Sequence, residues 1–338
     1  MKRKLNGKFL ALVLGVILLL LSVYKVPKFI SENKLSDLGY SKEAIQMINK
    51  YKIKKVILKN SYYSDYLEQQ LKEKGFKKEY LELYLTRTDV DDKLIGLYDK
   101  LIQKKGYSKE EMNTLFQELS YEALFPLLIY DKVEDVQTYK KDCLDNNGKP
   151  QEDYLHPYEN YSEVPDPSAV DVFVSMKSYL GEYVPENLVA LNTMNSVPDV
   201  YLDQRAAEAF DELCAALRKE DAGIYAVGGY RSYEEQKARF SIYPTSIKEG
   251  FTDQQTGLGV FVVAGENESA ADFAKTKAYK WLLNHAHEYG FLFRYPKEKD
   301  QITGYGEIDN YLRYVGEQLA GEIFDSGMCF DEYVAFYR

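Results

Sequence analysis

The chain has 338 residues, with 43 Lys+Arg against 53 Asp+Glu for a formal charge of −10, and it carries only three His and three Cys. Cysteines at 143, 214 and 329, with no C-x-x-C, cannot build a Cys-rich zinc module or a dense disulfide framework. The net acidity argues against a nucleic-acid binder, which needs a concentrated Lys/Arg surface.

Lys2, Arg3, Lys4 and Lys8 precede an apolar run over 9–24, and Lys25 and Lys28 follow it. At roughly 1.5 Å per residue the run rises about 24 Å, near the ~30 Å of a hydrocarbon core. No small-residue cleavage site follows. The expectation is a cytoplasmic basic tail and transmembrane signal anchor over 1–30, placing a single-pass protein in the cell membrane with its C-terminal domain extracellular.

Residues 36–130 are rich in Lys, Glu, Leu and Tyr and repeat a short phrase, GYSKE at 39–43, GFKKE at 75–79 and GYSKE at 106–110. That spacing predicts α-helical repeats, with Ser108 and Glu111 forming a capping box and Tyr107 packing onto Met112. The region carries no His, no Cys and no glycine-rich loop, so it reads as a solvated stalk or a partner-binding surface. Residues 131–170 are polar and proline-dotted, a linker or an ordered strap across the next domain. His156 within it reads as a solvated loop residue.

From 171 to 338 the pattern is mixed α+β. Over 201–219, Ala206, Phe210, Leu213, Cys214 and Leu217 recur at helical spacing, so Cys214 reads as core. Strands are expected at 224–227, 257–264 and 291–295, and helices at 234–240 and 275–289, the latter closed by Gly290. The S-x-x-K from Ser22 to Lys25 falls at the end of the apolar run and has no accompanying K-T-G, so a serine mechanism is not supported.

Seven phrases stand in order over this region: YVPENLV at 183–189, GYRSYEEQ at 229–236, QTGL at 255–258, NHAHEYGF at 284–291, RYPK at 294–297, ITGY at 302–305 and LRYVG at 312–316. Together they resemble the VanY-type (peptidase family M15) D-alanyl-D-alanine carboxypeptidases. The helical N-terminal part is similar to anchored forms of that family in Gram-positive bacteria. The resemblance implies a carboxypeptidase-like α+β fold and a zinc hydrolase of peptidoglycan stem peptides. In that family S-x-H-x(6)-D supplies a His and an Asp to zinc, and E-P-W-H supplies the catalytic Glu and a third ligand, His. Here the metal-ligand positions hold Gln254, Phe261 and Tyr311, and the base position holds Ile308. A neutral amide and a phenol are poor zinc donors at neutral pH, and Phe and Ile have no donor atom. The expectation is therefore a degenerate member with no zinc and no catalytic residue. Asp253, Glu307 and Asp309 are neighbours whose side chains are expected to point elsewhere, and His285 and His287 do not share a helix face.

Arg231, Ser232, Gln236 and Thr252 match the substrate-binding positions that the resemblance implies. A guanidinium can hold a peptide carboxylate in bidentate fashion, or Arg231 and Gln236 can simply knit the fold. The leading functional expectation is a membrane-anchored pseudo-peptidase that binds peptidoglycan stem peptide or a cell-wall protein partner. The alternatives are an active carboxypeptidase with an unconventional metal site, and a purely structural surface protein.

Overall fold

The computed structural model describes residues 33–338 apart from 74, 151–153, 155 and 266–271. The chain divides into two compact units, one up to Gly96 and one spanning Leu97–Arg338.

The first unit is helical among the described residues. It contains α1 (Lys42–Tyr51), α2 (Lys54–Asn60), α3 (Asp65–Lys72), α4 (Leu81–Thr86) and the start of α5 (Asp92–Lys105), within which the division falls. α1 and α3 each bury one stripe. Ala44, Ile45 and Ile48 of α1 are buried, as are Leu67 and Leu71 of α3, with Tyr51 against Phe76 at 4.7 Å between ring centroids. Ser41 caps α1 by accepting from the Ala44 N–H at 3.2 Å, and Ser64 caps α3 by accepting from the Leu67 N–H at 3.1 Å.

The second unit continues with α6 (Lys109–Phe116) and α7 (Val136–Asp145). The Ser108–Glu111 capping box forms at the start of α6, and Tyr107 and Met112 are both buried. α7 falls inside 131–170, and so does β1 (Ser162–Glu163), which pairs in parallel with β2 (Ser178–Tyr179). β3 (Leu188–Ala190) and β4 (Tyr201–Asp203) form an antiparallel pair, and Asp203 then caps α8 (Gln204–Lys219) by accepting from the Arg205 N–H. The expected helix at 201–219 therefore starts three residues late. Its first three residues are strand, because Asp203 is a stronger helix start than Tyr201.

The central sheet has the order β5 (Ile224–Gly228), β6 (Gly259–Ala264), β8 (Ile308–Tyr314), β7 (Phe291–Tyr295), with every neighbouring pair antiparallel. Val260, Val262 and Ala264 of β6 are buried and Phe261 and Val263 half-buried, the period-2 alternation of a strand with two unlike faces. Ala226, Val260, Val262, Leu312 and Phe291 share one core with Phe210, Leu213, Cys214 and Leu217 of α8 and with Ala278 and Leu282 of α10 (Lys277–His285). Between β5 and β6 lies α9 (Tyr233–Ile242); after β8 come α11 (Glu317–Ser326) and α12 (Phe330–Tyr337). The expected helix at 275–289 is α10 followed by a 3-10 turn at Ala286–Tyr289, ended by Gly290 at φ 76°. The mixed α+β class is as expected.

The single-pass membrane placement needs correction. Among the described residues no helix is long and apolar enough to cross a membrane. The longest helix of the second unit, α8, has 16 residues, a rise of about 24 Å, and is amphipathic, with Arg205, Glu208, Asp211 and Arg218 along it. The apolar run at 9–24 on which that placement rested lies outside the described residues.

Candidate functional site

β5 ends in a bulge. Ala226 pairs with Val262 and Gly228 with Phe261, so two residues of β5 face one of β6. The chain then turns through Gly229 and Tyr230 to Arg231, whose backbone N–H donates to the Gln254 carbonyl at 3.2 Å. Ser232 caps α9 in a reciprocal box: its Oγ accepts from the Glu235 N–H at 3.3 Å, and its own N–H and hydroxyl donate to Glu235 Oε2 at 2.8 and 2.7 Å. The capping places Arg231 immediately before the helix and Gln236 one turn into it. Opposite, Thr252 starts the 3-10 turn Asp253–Thr256, its hydroxyl accepting from the Gln254 N–H at 3.3 Å.

These elements bring Arg231, Gln236 and Gln254 together. Arg231 Nη1 donates to Gln236 Oε1 at 2.8 Å and to Gln254 Oε1 at 2.9 Å, while Gln254 Nε2 donates to the Gly229 carbonyl at 2.8 Å. Gln236 Nε2 donates to the Ile247 carbonyl. Burial and the nearby Arg239 push the Arg231 pKa down. Its side-chain hydrogen bonds among the described residues go to neutral amide oxygens, not to a carboxylate.

Phe261 and Tyr311 are direct partners across β6 and β8, with ring centroids 4.4 Å apart, on the sheet face opposite the α8 core. Tyr311 is 2% exposed and its hydroxyl has no hydrogen-bond partner among the described residues. Burial first, then the charge of Asp253, pushes its pKa well above the usual tyrosine value. The hydroxyl occupies the space a Cβ at 259 would need, so this pairing requires Gly259. Ile308 is half-buried at the start of β8, opposite Tyr295. Phe293 pairs with Leu312 and Tyr295 with Ile308, so two residues along β7 face four along β8.

Asp253, the neighbour of Gln254, is held by two arginines. Its carboxylate accepts from Arg294 Nε at 2.9 Å and Arg313 Nε at 3.0 Å, and Arg294 also pairs with Asp331; both arginines are fully buried. Asp309 accepts from the Ala274 N–H at 3.1 Å. His285 pairs with Glu288, His287 stacks on Phe324 at 3.7 Å, and His156 lies near Glu159. The sequence missed the Arg294–Asp253–Arg313–Asp331 cluster, although both arginines lie in quoted motifs, RYPK and LRYVG. It also missed a column of tyrosines, Tyr305, Tyr295 and Tyr311, in which centroids follow at 5.3 and 5.8 Å.

The VanY family model, described as D-alanyl-D-alanine carboxypeptidase, matches residues 199–317. The chain is 30% identical over 135 residues to the bifunctional D-Ala-D-Ala dipeptidase and D-Ala-D-Ala carboxypeptidase VanXYC of Enterococcus gallinarum, a match covering 35% of this chain and 69% of that protein. The chain belongs to the VanY family. It is also 34% identical over 177 residues to a putative carboxypeptidase, YodJ, of Bacillus subtilis, a match covering 45% of this chain and 62% of that relative, so it spans about three fifths of that protein's length. Among solved structures, a mutant of the vancomycin-resistance D,D-pentapeptidase VanY in complex with Zn(II) is 24% identical with a TM-score of 0.41, covering 50% of this chain and 99% of that one.

The side chains at the positions that the family resemblance assigns to zinc, Gln254, Phe261 and Tyr311, do not fit it. The oxygen of Gln254 already accepts from a guanidinium, so a cation there would sit beside Arg231. Tyr311 is held in its protonated form and packed against Phe261, which offers no donor atom. No group of three or more His, Cys, Asp and Glu among the described residues is arranged to hold a metal ion.

Proposed function

We propose that this VanY-family chain binds the carboxy-terminal end of a peptidoglycan stem peptide without cleaving it, through Arg231, Ser232, Gln236 and Thr252 in the domain at 171–338. The observation that carries the reading is Arg231. It is a half-buried guanidinium hydrogen-bonded to two amide oxygens and to no carboxylate, with only the electrostatic influence of Glu235 nearby, so a ligand carboxylate can pair with it directly. Gln236 and Gln254 position it, Ser232 and Thr252 fix the two turns that carry them, and the hydrolytic positions are filled by Phe261, Ile308 and Tyr311. With no carboxylate at 308 or 261, no residue at those positions can take a proton from a water.

Calorimetry of the protein with a peptide ending in D-Ala-D-Ala tests this, alongside zinc quantification and an assay for released D-Ala. Binding that is lost in Arg231→Ala, with no D-Ala released, is the expected result. Stoichiometric zinc together with turnover would overturn the non-catalytic reading; absence of binding would overturn the recognition reading.

A further inference from the structure

Arg231 does not end its hydrogen-bonded network at Gln236. Gln236 Nε2 donates to the Ile247 carbonyl, and the next residue, Lys248, donates its backbone N–H to the hydroxyl of Tyr158 at 3.3 Å. The same hydroxyl lies 3.2 Å from that of Tyr305, whose ring begins the column through Tyr295 and Tyr311 to Phe261. One phenol thus stands where the Arg231 side and the Tyr311 side of the site meet. Tyr158 comes from the segment between α7 and β2, outside the 199–317 match.

That segment is held in an unfavourable backbone form. His156, Tyr158 and Asn160 all have positive φ, at 40°, 65° and 46°. Non-glycine residues persist there only when their surroundings over-determine them, and such strain concentrates at functional sites. The ties are explicit: the Tyr158 N–H donates to the Met176 carbonyl at 3.2 Å, Lys177 Nζ donates to the carbonyls of His156 and Glu159 at 3.2 and 2.8 Å, and β1 pairs with β2. The ring packs at 4.9 Å on Phe251 and 6.4 Å from Phe240 of α9, with Lys248 over its face.

We infer that Tyr158 is a positioning residue for Arg231: through Lys248, Ile247 and Gln236 it sets the direction in which the guanidinium presents to a ligand carboxylate. This rests on the carboxylate-binding reading above.

Tyr158→Phe keeps the ring and removes only the hydroxyl. It is expected to weaken binding of a D-Ala-D-Ala-terminated peptide about five-fold, the order of one net hydrogen bond, with the protein still folded at the assay temperature. In the unliganded protein the Nε–H resonance of Arg231 is expected to shift. In an Arg231→Lys background, which keeps the charge but not the fork, the same change is expected to alter affinity by less than about two-fold, since coupled residues are non-additive. If wild-type protein binds no peptide, the functional reading fails, and the Arg231 resonance still decides whether Tyr158 positions it. If wild type binds but Tyr158→Phe moves neither affinity nor resonance, or if the two substitutions prove additive, the positioning role is overturned.

Discussion

Asp253→Asn is the sharpest probe of what holds the site's floor together. The Asp253 carboxylate bonds two guanidinium groups, Arg294 at 2.9 Å and Arg313 at 3.0 Å, and all three side chains are 0% exposed. With Asp331 beside Arg294 the cluster holds two positive and two negative charges. The remaining donors are satisfied by backbone carbonyls, Arg294 Nη2 to Val174 at 2.8 Å and Arg313 Nη2 to Val172 at 2.7 Å, so no other anion among these contacts can take over. Asparagine preserves shape but leaves one uncompensated positive charge, and it turns an N–H donor toward one of the guanidinium groups. Removing one partner of a buried ion pair costs about 3–5 kcal/mol, a large share of the roughly 5–15 kcal/mol that holds a domain folded. For a unit of this size that is a fall in melting temperature of roughly 6–20 °C. Thermal and urea unfolding followed by circular dichroism would measure it. Removing Arg313 as well, as Asp253→Asn/Arg313→Met, should recover part of the loss, because the orphaned charge goes with it. A loss below about 1 kcal/mol for the single variant would refute the reasoning and show that the cluster is hydrated.

Two further outcomes concern the site itself. Tyr311→Phe removes a buried hydroxyl that has no hydrogen-bond partner among the described residues, so it should raise stability by about 1 kcal/mol, seen as a higher urea midpoint at constant slope; a loss of stability would mean the hydroxyl is satisfied. Glu235 is held below the usual carboxylate range by the Ser232 hydroxyl first and the Ser232 N–H second. A depressed folded pKa contributes stability above the unfolded value, about 4.3, that disappears as pH falls through the folded one. Glu235→Gln should therefore be less stable than wild type at neutral pH, and the two stability curves should converge in acid; parallel curves down to acid would exclude the cap as a pH-dependent contribution.

Much of the local structure was legible because its signals are local. The spacing of Phe210, Leu213, Cys214 and Leu217 marked α8, the S-x-x-E at 108–111 marked the start of α6, and the apolar run over 257–264 marked β6. β8 was legible only as a family phrase. Asp309, Asn310 and Arg313 break its apolar pattern, and the bulge opposite β7 breaks its period. That Phe261 and Ile308 offer no donor atom could also be read from residue types alone, in any fold.

The sequence by itself determined which side chains stand at the four positions that the family resemblance assigns to the zinc ligands and the base: Gln254, Phe261, Tyr311 and Ile308. Only the tertiary structure decided what these residues and their neighbours meet. Asp253 finds its arginines 41 and 60 residues away, Phe261 finds Tyr311 across two strands, and Tyr158 reaches Tyr305 over 147 residues. Nothing in a local pattern specifies such partners. They are selected by the need of each buried polar or aromatic group to meet a complementary one once the sheet has closed.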